Sequence, residues 1–150
     1  MYRKYIKALT ANIILLFAGC GNEYNSYNPI PDMPVNYTLN IIRDAPILIT
    51  QGGYLSITEP NKQGQYIGYG GLLIFYGFDN NYYAYDLSCP HECQKDVRIE
   101  PSMAGVATCP VCSTKYDIGF GSGLPSGGES KYALKRYTVM VSGENLRVTK

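Results

Sequence analysis

Four cysteines and one histidine stand in two short clusters, Cys89-Pro90-His91-Glu92-Cys93 and Cys109-Pro110-Val111-Cys112. Thiolate and imidazole are ligands for soft or borderline metals, and two knuckles on adjacent turns can converge four of them. Three kinds of chemistry use such a set. Disulfides are open to an exported protein. Zinc takes either four cysteines, here C-x3-C with C-x2-C, or three cysteines and the histidine. An iron–sulfur cluster takes four ligands of the same types. The residues alone leave all three open.

The rest of the composition narrows the function classes. His91 is the single histidine of the chain. That excludes a His/His metal site and leaves little scope for a Ser-His-Asp triad. There is no GxGxxG opening a helix, no P-loop and no internal repeat. Past residue 19 the chain has 10 Lys+Arg against 12 Asp+Glu and no basic run, which argues against a nucleic-acid partner.

The elements that must position the knuckles read as strands and turns. Fifteen Tyr, 16 Gly and 9 Pro with no Trp favour short strands over long helices. Alternation marks strands at 37–41 and 54–57, and Leu72–Tyr76 is an apolar run suited to a buried strand. Asp79-Asn80-Asn81 turns into a strand at 82–85. Segments 97–100 and 105–108 flank a turn expected at Pro101-Ser102, and 137–141 and 146–148 flank the turn Ser142–Asn145. No window of eleven residues past the first nineteen carries a helical stripe. The expectation is an all-β domain of roughly ten strands over 35–150.

The front of the chain reads as an address. Arg3, Lys4 and Lys7 precede an apolar run, Ala8 to Ala18, that is short for a bilayer span. Residues 1–19 are therefore expected to be a removable signal peptide. Its end, Phe17-Ala18-Gly19-Cys20, resembles the bacterial lipobox, in which the cysteine is acylated and becomes the first residue. Phe17 departs from the more usual Leu. Residues 20–34, with Pro29, Pro31 and Pro34, read as a lipid-anchored flexible tether. The expected location is the bacterial cell envelope, outside the cytoplasm and held to a lipid bilayer through Cys20.

From about Leu72 to Val148 the order of residues resembles the Rieske family. Tyr83-Ala84-Tyr85-Asp86 precedes Cys89-Pro90-His91, where the family has Ala-hydrophobic-Asp and then C-x-H. After seventeen intervening residues, Cys109-Pro110-Val111-Cys112-Ser113-Thr114-Lys115-Tyr116-Asp117 is similar to the family's C-P-x-H-x-S-x-[FY]-D. A Gly/Pro loop with Pro125 and then Leu134-Lys135-Arg136-Tyr137-Thr138-Val139 follow in the family's order. The resemblance implies an antiparallel β sandwich with a small cluster-binding part at about 86–128, and a [2Fe–2S] cofactor. One iron would be held by Cys89 and Cys109. The other would be held by His91 and by Cys112, which stands where the family has its second histidine. Zinc, or no metal, are the alternatives that this departure opens.

The resemblance further implies that Thr114 and Tyr116 donate hydrogen bonds towards the centre and that Pro125 shields it. Cys93 lies where some members place a disulfide cysteine, but its partner position is Val111. It is then either a free thiol or an alternative ligand. The implied function is one-electron transfer to an unknown redox protein or membrane electron carrier, not catalysis, since no mononuclear iron triad follows. The alternative is a binding or structural lipoprotein whose knuckles hold zinc or pair as disulfides.

Overall fold

A computed structural model describes residues 27–150. The predicted signal peptide, Cys20 and the first part of the predicted tether lie outside the described residues. Eleven strands run in chain order: β1 (Val35–Asn40), β2 (Tyr54–Ile57), β3 (Tyr66–Ile67), β4 (Leu72–Tyr76), β5 (Tyr82–Asp86), β6 (Glu100–Pro101), β7 (Val106–Thr108), β8 (Lys115–Asp117), β9 (Pro125–Gly127), β10 (Arg136–Ser142) and β11 (Asn145–Thr149). They form a seven-stranded sheet, β2-β4-β5-β10-β11-β1-β3, and a four-stranded sheet, β6-β7-β8-β9. Every pairing between strands is antiparallel. The fold is all-β, as its turn-rich composition predicts.

The apolar run at β4 has a two-sided role. Leu72 and Ile74 point into one core cluster with Tyr37, Leu39, Leu48 and Val148. Leu73 and Phe75 point into a second with Tyr85, Leu87, Ile99, Ile118 and Leu134. Successive side chains of a strand face opposite ways, so a strand between two cores is apolar throughout. Its partner β5 divides the same way, Ala84 to the first cluster and Tyr83 and Tyr85 to the second. Burying each Leu, Ile or Phe side chain of β4 stabilises the fold by roughly 1.5–3 kcal/mol.

The structure adds two short helical turns and corrects one local expectation. A four-residue helix, α1 (Ile41–Asp44), and a 3₁₀ turn (Pro46–Ile49) follow β1. They are too short for any periodicity to show. Asn40 caps α1, its side chain accepting from Arg43 N–H at 2.9 Å. Pro101 is the second residue of β6, and the turn comes later, at residues 102–105, where Gly105 has φ +77°. Proline is tolerated there because β6 is an edge strand.

The segment read as a free tether is docked over its last part. Ile30 is buried, Asn28 Nδ2 donates to Ala133 O at 2.9 Å, and Lys135 Nζ donates to the carbonyls of Ile30 and Pro31. Asp32 pairs with Lys135 at 3.0 Å and contacts Lys150. No helix among the described residues is long and apolar enough to cross a membrane.

Candidate metal centre

Each knuckle is the tip of a hairpin. The first is framed by the Ser88–Arg98 bridge and by Cys89 N–H bonding Val97 O at 2.9 Å. The second lies between β7 and β8, framed by Thr108–Lys115 pairing and by Cys109 N–H to Thr114 O at 2.9 Å. Both turns have one shape. The residue four past the first cysteine donates its N–H back to that cysteine's carbonyl, Cys93 to Cys89 at 2.9 Å and Ser113 to Cys109 at 3.0 Å. That residue is left-handed in both, φ +55° at Cys93 and +57° at Ser113.

The hairpins bring together three sulfurs. Cys89, Cys109 and Cys112 Sγ all lie within 4.8 Å of one another, with Cys89 and Cys112 at 3.7 Å. Cys89 and Cys109 are fully buried, and Cys112 is partly exposed. All are free thiols. His91 is outside this group. It is exposed on the first knuckle, with Nε2 3.7 Å from a Glu129 carboxylate oxygen. Cys93 faces away and donates to Pro29 O at 3.1 Å. Burial, and the charge of Cys89, push its thiol up.

Two hydroxyls accompany the sulfurs. Tyr116 is fully buried, its hydroxyl 3.4 Å from Cys89 Sγ, and burial drives its proton affinity well up. Thr114 Oγ1 accepts the N–H groups of Glu129 and Ser130, both at 3.1 Å, and lies 3.2 Å from Cys112 Sγ. As a thiol Cys112 donates to Thr114 Oγ1, and once charged it can accept the Thr114 proton. Burial raises the Cys112 thiol, but bonds from Thr114, Cys109 and Cys89 outweigh it and the net direction is down. Burial pushes the Cys109 thiol up to about 12. The site therefore favours negative charge at Cys112, where hydrogen bonds outweigh burial, and a proton at Cys109, where burial wins. Pro125 is half-buried in β9, opposite Tyr116.

Two further residues support the site. Gly128 has φ +108°, and a Cβ there would stand 2.5 Å from Thr114 Cα, so only glycine lets the 127–130 loop close over Thr114. Asp86 is fully buried and accepts from Tyr69 N–H (2.7 Å), Gly70 N–H (3.0 Å), Ser88 N–H (2.8 Å) and Tyr137 Oη (2.8 Å). It ties the stem of the first knuckle to the loop before β4 and to β10.

Thr114→Val should strand the Glu129 and Ser130 N–H groups and remove the donor to Cys112. The expected cost is about 1–3 kcal/mol in urea unfolding, with the Cys112 thiol displaced upward. Thr114→Ser should recover both. Equal stability of wild type and Thr114→Val would refute this role for the hydroxyl.

No family model matches the chain, and no curated protein matches it in sequence. Solved structures do resemble it. The quaternary ammonium Rieske monooxygenase CntA superposes with TM-score 0.51 at 14% identity over 77% of this chain, which spans 30% of that one. The plasma membrane Rieske protein PetC3 from Synechocystis PCC 6803 gives 0.48 at 21% identity, over 65% of this chain and 86% of that one. A carbazole 1,9a-dioxygenase oxygenase–ferredoxin complex gives 0.45 at 16% identity, over 66% and 90%. With its two hairpin knuckles set against the larger antiparallel sheet, this chain has a Rieske-like fold.

Proposed function

We propose that the protein is an iron–sulfur electron carrier, held by a lipidated Cys20 to a membrane outside the cytoplasm. The observation that carries this reading is the convergence of three thiols with two buried hydroxyls at the tips of paired hairpins. The donor set suits a thiolate-bound metal, since the Thr114 hydroxyl can donate to Cys112 once that sulfur is charged. Cys89 and Cys109 would hold one iron, and Cys112 with His91 the other, as the sequence resemblance implies. Bound there, a [2Fe–2S] cluster supplies one-electron chemistry. The chain's own part is to bury two sulfurs, leave Cys112 and His91 at the surface, and present donors to Cys89 and Cys112. The partner is a redox protein or membrane electron carrier.

One distance favours a second reading. Ligands of a single tetrahedral metal at about 2.3 Å stand roughly 3.8 Å apart, and Cys89 and Cys112 are 3.7 Å apart. Zinc held by the three cysteines, with His91 or water as the fourth ligand, suits that spacing. Anaerobic purification, an absorption spectrum and metal analysis separate the two. The iron–sulfur reading expects a red-brown protein with two irons per chain. A colourless protein with one zinc overturns it in favour of the second. Since Cys112 adds a negative charge where an imidazole would be neutral, the potential should lie between the Rieske range of about −150 to +300 mV and the plant-type value near −400 mV.

The anchor has its own test. Cys20→Ala should shift the protein from membranes to the soluble fraction, and wild-type intact mass should begin at an acylated Cys20. A membrane-bound form with residues 1–19 retained and no acyl chain would defeat the anchor.

A further inference from the structure

The chain enters the domain beside the metal centre. Cys93 closes the first knuckle and bonds Pro29 O, Asn28 bonds Ala133, and Ile30 is buried at 3% exposure. The register places this entry at one end of the large sheet. Asn36 pairs with Thr149, and Thr149 with Thr138, two residues past the Arg136–Tyr85 pair that leads into Asp86 and the first knuckle. The β10–β11 turn at Gly143-Glu144 lies at the opposite end, beside Asn40 and Ile41.

Chain length then limits orientation. Asn28 is eight residues past Cys20, a reach of at most about 28 Å. A domain of this size has a radius of gyration of about 14 Å, hence a diameter of roughly 35 Å. Eight residues cannot run the length of the domain, so it cannot invert on its anchor. We infer that the strap 28–32 turns the knuckle end, with Val111 and His91, towards the lipid surface that holds Cys20, and keeps the β10–β11 turn away from it. This rests on Cys20 being the lipid anchor. The occupant facing the metal centre is the headgroup surface of the protein's own membrane.

The test uses the full lipidated chain in phosphatidylcholine vesicles containing an acceptor-labelled lipid. A donor dye is attached through an azide-bearing residue at position 111 or 144, leaving every cysteine in place. Energy transfer should be at least twofold greater from 111 than from 144. Ile30→Asp should release the strap as far as Val35, lengthening the reach to about 52 Å, and bring the ratio close to one. A ten-residue Gly/Ser insertion before Tyr27 should do the same while leaving the Tyr27–Tyr132 contact in place. Failure of the protein to float with the vesicles would overturn the anchor, and this inference with it. Flotation with equal transfer, or stronger transfer from 144, would overturn the orientation alone. A ratio that survives the insertion would also overturn it, since strap length would not be what sets it.

Discussion

Asp86→Ala should destabilise the domain by on the order of 4 kcal/mol, a large share of the 5–15 kcal/mol that holds a typical domain folded. Four donors converge on this buried carboxylate, three of them backbone N–H groups that cannot turn elsewhere. An unpaired buried donor costs about 1–3 kcal/mol, and alanine offers none of them an acceptor. Asp86→Asn should cost less, since one oxygen still accepts, but its NH2 must meet donors head-on. The losses also reach the centre, because Ser88 N–H is the amide just before Cys89. Urea unfolding with and without metal measures both effects. A loss below 1 kcal/mol for Asp86→Ala would show that the carboxylate is dispensable to the stem.

Cys109→Ser and Cys112→Ser should each abolish the metal centre, cutting bound metal at least tenfold, while Cys93→Ser should leave spectrum and metal content unchanged. The first two sulfurs belong to the convergent trio, and the third faces Pro29. Serine keeps the shape but is a poor ligand for a soft metal. The two ligand variants should differ in stability. Cys109 is wholly buried in the second core, so a hydroxyl there must find a partner, whereas Cys112 reaches solvent. Loss of the centre in Cys93→Ser, with retention in Cys112→Ser, would reverse the ligand assignment.

Much of this arrangement was legible in the residues. β2 falls where alternation places it, and β4 and β5 follow from the apolar run and the Asp79–Asn81 turn. The knuckle cysteines could be picked out because metal-binding residues cluster at short spacing. Other features left no local trace. Nothing around Glu129 signals that it will meet His91 some forty residues away in sequence. Pro29, Pro31 and Pro34 suggest an open tether, yet proline also suits a strap that docks through carbonyls and needs few N–H groups. Asp86 was visible as part of a motif, but its four donors come from three separate segments, which only the closed sheet assembles.

The shared shape of the two knuckles also makes their ligands interchangeable by design. Glu92 stands third after Cys89 as Cys112 stands third after Cys109, and both turns close through the same left-handed fifth residue. A backbone used twice does not dictate which side chains its two loops present. Glu92→Cys would give each loop the pattern Cys-Pro-x-Cys, so a symmetric set of four thiols lies a single amino-acid step away. The frame is in that sense a socket, and the chemistry it presents can drift through side-chain choice while the hairpins beneath it stay fixed.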